Sequence, residues 1–379
     1  MNSVEIPLSA PDITEAEIQA VVSVLRSPRL SLGPKLEEFE HAMAEYAGAE
    51  HAVGVSSGTA GLHLALVSLG IGPGDEVIVP SFTFVAVANA VRYVGAVPVF
   101  ADIEAESLNL DPSRVEAAIT PRTRALIAVH TFGRPADMAA LGQIARRHGL
   151  CLIEDACEAL GAEIGGQRVG TFGDAAVFAF YPNKQITTGE GGMVVTQDAD
   201  VARRVRALRN HGRSGEAWLE HAEVGYNYRL SEMQCALGIV QLRRIEEILA
   251  RREAVARRYC ALLDGNPAVR LPALNVPGVR LSWFVFVVQV EERDRVAERM
   301  KEKGIATGRY FLPIHLQPAY APRRTQRARS GDSQEFAIGP GGLAVTERVG
   351  ARTLALPFFN RITEEQIGRV AEALQQVLS

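Results

Sequence analysis

Lysine is the scarcest charged residue of this chain. Of 379 residues 40 are basic, and only four of those are lysines: Lys35, Lys184, Lys301 and Lys303. Three fall in stretches that read as helix surface, GPKLEE and ERMKEK, where a lysine is a solvated charge. Lys184 does not. Cysteine is also scarce, with four residues (Cys151, Cys157, Cys235, Cys260) and no metal-ligand spacing. That excludes a disulfide framework and a cysteine metal centre, and the pair flanking LCLIEDAC reads as buried free thiols. Positive charge is not in excess: the net charge of −4 offers no electrostatic case for nucleic acid or an anionic membrane. No apolar run approaches the ~18 residues of a membrane span. The opening MNSVEIPLSAPDITEAEI has neither a basic n-region nor an apolar h-region. A cytoplasmic protein that engages neither membranes nor nucleic acids is the expectation.

What is present is a hydrophobic content of 47% in a length that calls for two domains. From residue 51, short Val/Ile-rich runs alternate with helical patterns: HAVGV, DEVIVP, VPVFADI, RALIAVHTF and LCLIED. Each is followed by a stretch of helical spacing or leads to the next run, which predicts βαβ units and a mostly parallel sheet. AAVFAF and GGMVVTQ are close enough to pair as neighbours. Near residue 230 the pattern changes to one long or broken helix, LSEMQCALGIVQLRRIEEILARREAVARRYCALL, then a strand-like WFVFVVQV and two more helices. The division predicted is a large domain over 1–245 and a smaller α+β domain over 246–379. The RR pairs at 243–244, 251–252 and 257–258 are interleaved with Glu246, Glu247 and Glu253, so a solvated helix face is expected there. The polar, Gly-rich stretch 323–342 is expected to be a loop.

Three features fall at C-terminal ends of predicted strands, where open α/β sheets bind ligands. Ser56-Ser57-Gly58-Thr59 opens a helix with amides and hydroxyls suited to a phosphate, although a Ser/Thr helix cap has the same appearance. Glu154-Asp155 ends an apolar strand, where an acid needs a partner, a helix N-cap being the alternative. Lys184 follows AAVFAF; a lysine at a dry strand end can act as an amine nucleophile, or can snorkel to the surface. Together they supply what pyridoxal 5′-phosphate (PLP) needs: an anion cup, a carboxylate for the pyridine nitrogen and an amine for the aldehyde. The aromatics of PSFTF, Phe82 and Phe84, could stack on its ring. No metal ligands are expected.

In this order the motifs SSGTAGLHLAL, GPGDEVIVPSFTFVA, IEDACEALGA, VGTFGDAAVFAFYPNKQITTGEGGMVVT, GYNYRLSEMQCAL and PIHLQPAY resemble the DegT/StrS family of PLP-dependent nucleotide-sugar aminotransferases, over nearly the whole chain. The resemblance implies α/β architecture of PLP fold type I, with a mainly parallel seven-stranded sheet, a smaller C-terminal domain and a homodimer with shared active sites. It implies Lys184 as the Schiff-base lysine and proton-moving base, and Asp155 as partner of the pyridine nitrogen. Ser57, Gly58 and Thr59 would serve the phosphate, Phe84 the ring face ahead of Phe82, and Glu158 the cofactor's 3′-oxygen. Asn227 would reach the phosphate from the partner subunit. Arg229, His315 and Tyr181 would lie on the substrate side. The substrates implied are glutamate and a nucleotide-linked keto sugar.

Two positions depart from the commonest family pattern. Ala179 stands where many members carry a phosphate-binding Ser, which shifts weight onto Ser57, Thr59 and Asn227. Glu158 replaces the frequent Gln or His and, with TTGEGG, looks more like perosamine-synthase-type members, which aminate C4 of a 4-keto-6-deoxy sugar. Family dehydratases carry His in place of the lysine, so Lys184 speaks for transamination. A non-catalytic binding protein would show damage to cup, acid or lysine, and none is visible.

Overall fold

The computed structural model describes residues 6–215, 220–320 and 336–379. Its centre is an eight-stranded sheet. In spatial order the strands are His51–Val55, Gly192–Thr196, Ala175–Ala179, Cys151–Asp155, Thr123–Val129, Glu76–Pro80, Val97–Ala101 and Ala337–Ile338. All pairings are parallel except those on either side of Gly192–Thr196. Two antiparallel steps return His51–Val55 to the direction of the others. Val55, Asp155 and Ala179 therefore end at the same edge of the sheet, which is what the site requires. The central strands are almost wholly buried, and helices cover them, as expected of near-continuous Val/Ile/Ala runs.

AAVFAF and GGMVVTQ do pair, with Ala176 opposite Val195 and Ala179 opposite Gly192. The eighth strand is a correction to the expected loop at 323–342. Residues 323–335 lie outside the described residues, but Ala337 and Ile338 pair in parallel with Val99 and Phe100. Two apolar residues next to an open sheet edge complete it instead of staying irregular.

The helix beginning at Glu232 is broken. Glu232–Arg243 ends and Ile245–Leu263 begins around Arg244, whose φ of −99° and ψ of 5° leave the helical region. Helix Ile245–Leu263 enters a second core. It packs with helices Arg293–Glu302 and Glu364–Leu378 against the antiparallel pair Phe286–Gln289 and Thr353–Leu356. Tyr259 stacks on Phe286 at 5.0 Å and its hydroxyl donates to the Pro357 carbonyl at 2.8 Å, so a buried aromatic carries its own polar satisfaction. We propose the 1–245 and 246–379 division on these two cores, with crossings in both directions: Ile6 packs in the second core, whereas Ile314, Tyr320 and Leu343 pack in the core of the large sheet and Ala337–Ile338 joins the sheet itself.

The expected solvated face on helix Ile245–Leu263 holds for Arg251 and Arg257, which pair with Glu247 and Glu253 at its surface. It fails at Arg252, which is 4% exposed. The cysteines are free thiols; Cys235 and Cys260 are buried, whereas Cys151 and Cys157, expected to be buried, are only half-buried. Among the described residues no helix is long and apolar enough to cross a membrane.

Candidate active site

Eight of the residues expected to bind cofactor or substrate line one cleft of about 440 Å³: Ser57, Gly58, Thr59, Phe84, Asp155, Glu158, Tyr181 and Lys184. They arrive from four strand ends and the loops that follow, so the parallel sheet brings together positions up to 127 residues apart in the chain.

Lys184 sits in the loop after Ala175–Ala179. Its amide donates to the Tyr181 carbonyl at 2.9 Å, closing a turn that points the side chain back into the cleft. Nζ lies 3.5 Å from Glu158 Oε1 and 3.8 Å above the centre of the Phe284 ring. The amine thus has one carboxylate neighbour and an aromatic floor. Burial pushes the Glu158 carboxyl above the usual range; Lys184 and the Phe132 amide, which donates to Oε2 at 3.0 Å, pull it back only in part.

The acid pair at the end of the Cys151–Asp155 strand divides by alternation, since successive side chains leave a strand on opposite faces. Glu154 points away from the cleft and is wholly buried. It accepts from the amides of Gly170 at 2.8 Å, Phe172 at 2.7 Å and Gly173 at 2.9 Å, and from His130 Nε2 at 3.0 Å. The Ala136 amide donates to His130 Nδ1 at 3.0 Å, which leaves the ring proton on Nε2, facing Glu154. Asp155 faces the cleft, and its Oδ1 accepts from the Cys157 amide at 3.1 Å. One acid of the motif is structural and the other is available to a ligand.

The cup is the start of helix Gly58–Ser68. Ser57 is its N-cap, with Oγ accepting from the Ala60 amide at 3.1 Å, so the cap reading of this serine holds, and the same residue borders the cleft. The Gly58 and Thr59 amides, first in the helix, have no intrahelical acceptor. A Cβ on Gly58 would stand 2.8 Å from both Ala179 Cβ and Cys157 Sγ. Only glycine lets the helix start come this close to the strand end. Ala179 is thus part of the wall beneath the cup.

Phe84 is 59% exposed over the cleft, while Phe82 is buried among Phe132 and Phe311, so the two aromatics of PSFTF part into a cleft residue and a core residue. Three expected residues are absent from the cleft. Asn227 is exposed elsewhere, and Arg229 donates to Asn210 Oδ1 at 3.1 Å. His315 is a correction within this chain: it is buried, with Nδ1 2.7 Å from Ser81 Oγ and Nε2 3.3 Å from Glu347 Oε1. Conversely, Asn183, Phe284, Tyr310 and Phe311 line the cleft without having been singled out. Phe284 belongs to the strand-like run WFVFVVQV of the second domain, and Tyr310 and Phe311 reach the site from the far end of the chain.

Amine, carboxylate and open helix N-terminus face one cavity, and the residues suit PLP: Lys184 for its aldehyde, Asp155 for its ring nitrogen and the Gly58–Thr59 amides for its phosphate. Comparison with known proteins decides the assignment. The model of the DegT/DnrJ/EryC1/StrS aminotransferase family matches residues 11–375. The chain belongs to this family. It is 41% identical to GDP-perosamine synthase of Caulobacter vibrioides, covering 98% of each chain. It is 42% identical to dTDP-3-amino-3,4,6-trideoxy-α-D-glucose transaminase of Streptomyces venezuelae, over 94% of this chain and 90% of that one. Its fold superimposes with a TM-score of 0.89 on S. venezuelae DesV, solved in complex with a ketimine intermediate, at 40% identity over 100% and 99% of the two chains. The protein is a PLP-dependent aminotransferase of PLP fold type I.

Proposed function

We propose that this aminotransferase moves an amino group from glutamate to the C4 keto group of a nucleotide-linked 4-keto-6-deoxyhexose, by two half-reactions in one cleft. The convergence of Lys184, Asp155 and the Gly58–Thr59 helix start on that cleft carries the reading. PLP, when bound, supplies the electron sink for a substrate carbon that has lost its proton. Lys184 is the only lysine lining the cleft among the described residues. Its amine holds the cofactor and, when released, takes the proton from the substrate carbon and returns it. Asp155, oriented by the Cys157 amide, would face the ring nitrogen of the bound cofactor and favour its protonated form. The first helix amides would hold the phosphate, Phe84 would cover the ring face and Glu158 would serve the 3′-oxygen.

Asn227 is exposed and outside its own chain's cleft, which supports a second copy whose Asn227 completes this one. We therefore propose a homodimer. The two relatives do not decide the position of amination, since one is named for a 3-amino sugar and the identities are nearly equal. The preference for C4 rests on Glu158 and the TTGEGG stretch. Incubating the holoenzyme with glutamate and a panel of 3-keto and 4-keto nucleotide sugars tests it. Amination of a 4-keto-6-deoxy sugar is expected; turnover of 3-keto sugars alone would overturn the C4 assignment.

A further inference from the structure

Arg252 lies on helix Ile245–Leu263, in the C-terminal core, yet its guanidinium reaches the active-site loop. It is 4% exposed and makes no ion pair with a carboxylate among the described residues. Instead it donates to three backbone carbonyls: Trp283 at 3.2 Å, Phe284 at 3.1 Å and Lys184 at 3.0 Å. Burial pulls its pKa down to about 10, with the distant Asp12 charge opposing, so the group remains a cation at neutral pH. A buried cation answered by carbonyls and, at 5.5 Å, by the face of the Phe358 ring but by no paired carboxylate is costly, and a leucine or methionine would fill the space without that cost. Something other than stability accounts for it.

The three carbonyls explain what. Phe284 is the ring beneath the Lys184 amine, at 3.8 Å. Arg252 thus joins the backbone of the reactive lysine to the backbone of the residue its amine rests on. Its fork is planar and rigid, which fixes the two carbonyls relative to each other as a lysine could not. The next residue repeats the arrangement: Gln185 Nε2 donates to the Glu158 carbonyl at 2.6 Å and to Ser282 Oγ at 3.0 Å. Segment 282–284 is in turn tied to the large domain, with the Ser282 amide donating to the Gly133 carbonyl at 3.0 Å and the Phe284 amide to the Phe132 carbonyl at 3.2 Å. Trp283, between them, has a φ of 44°, a left-handed backbone that such ties hold in place.

We propose that Arg252 is a positioning residue for Lys184, fixing the amine over Phe284 and beside Glu158 for both cofactor capture and proton movement. The inference rests on the assignment of Lys184 made above, and the experiment separates the two. In the wild-type holoenzyme, borohydride reduction with peptide mapping tests Lys184 itself. With that label found, Arg252→Met and Arg252→Lys are compared by visible circular dichroism per bound PLP and by the single-turnover half-reaction with glutamate. Arg252→Met is expected to reduce the dichroic band and slow the half-reaction by about tenfold to a hundredfold, with glutamate KM within about twofold. Arg252→Lys, which restores one donor, is expected to recover part of both. Wild-type dichroism and rate in both variants, with only a lower melting temperature, would overturn the proposal, as would failure of both variants to fold.

Discussion

Lys184 Nζ lies 3.5 Å from Glu158 Oε1 in a pocket where the two side chains are 13% and 7% exposed. The pairing is incomplete as an ion pair, because burial holds the Glu158 pKa above its ordinary 4.5 despite the neighbouring amine. A carboxyl with a raised folded-state pKa contributes stability that is full below 4.5 and is lost as pH rises through the folded value. Cofactor-free Glu158→Gln should therefore gain on the wild type in melting temperature as pH rises from 4.5 toward neutrality. A gap that narrows over that range would show that the ion pair, not burial, governs the site.

Adjacent acids should behave in opposite ways. Glu154→Ala strands three amides and the His130 ring and should cost about 3 kcal/mol or more in denaturant unfolding. Asp155→Asn should melt near the wild-type temperature but lose on the order of a hundredfold or more in glutamate half-transamination. Matching phenotypes for the two variants would contradict the division between a structural and a functional acid.

Gly58→Ala places a Cβ 2.8 Å from Ala179 Cβ and Cys157 Sγ. The helix start must then back away from the strand end, at about 1–3 kcal/mol. PLP titration should show weakened binding, by roughly tenfold for a displaced phosphate cup. Unchanged affinity would mean that the cup lies elsewhere.

Far from the cleft, Glu17 is fully buried and accepts from the Thr14 amide, Gln241 Nε2 and Arg244 Nη1, each at 2.8 Å. Burial works to raise its pKa, but a hydrogen bond from the Thr14 hydroxyl, together with those from Arg244, Gln241 and the Thr14 amide, brings it down to about 2. A depressed carboxylate contributes stability above 4.5 that is lost as pH falls toward 2, here roughly 3 kcal/mol. Urea unfolding of Glu17→Gln should show that deficit at pH 7, shrinking on acidification; a constant deficit would assign Glu17 a packing role only.

The sheet and the residues that meet in the cleft were legible because both follow from local pattern. Val/Ile runs gave the strands, and polar residues directly after apolar runs marked Gly58, Asp155 and Lys184. What could not be read depends on residues distant in sequence. Arg252 falls on the apolar stripe of its helix, with Ile248, Leu249, Val255, Ala256 and Tyr259, whereas Arg251 does not; the interleaved charges drew the reading of a solvated face, and the carbonyls of segment 282–284 that receive the guanidinium lie far away in sequence. Tyr310 and Phe284 are typical of core aromatics until the fold opens a cavity beside them. His315 shows the converse, since a histidine between two prolines carries no sign that Ser81 and Glu347 will enclose it. The pair Ala337–Ile338 is too short for any periodicity and becomes a strand only because Val97–Ala101 leaves an edge to complete.

The central claim is that Lys184 is the amine that holds the cofactor. Purified holoenzyme should absorb near ~420 nm, and borohydride should bleach that band while fixing the cofactor covalently. Peptide mapping should then place the label on Lys184, in the stretch FAFYPNKQITTGEGG. A label on Lys35, Lys301 or Lys303, or no covalent label at all, would contradict the account.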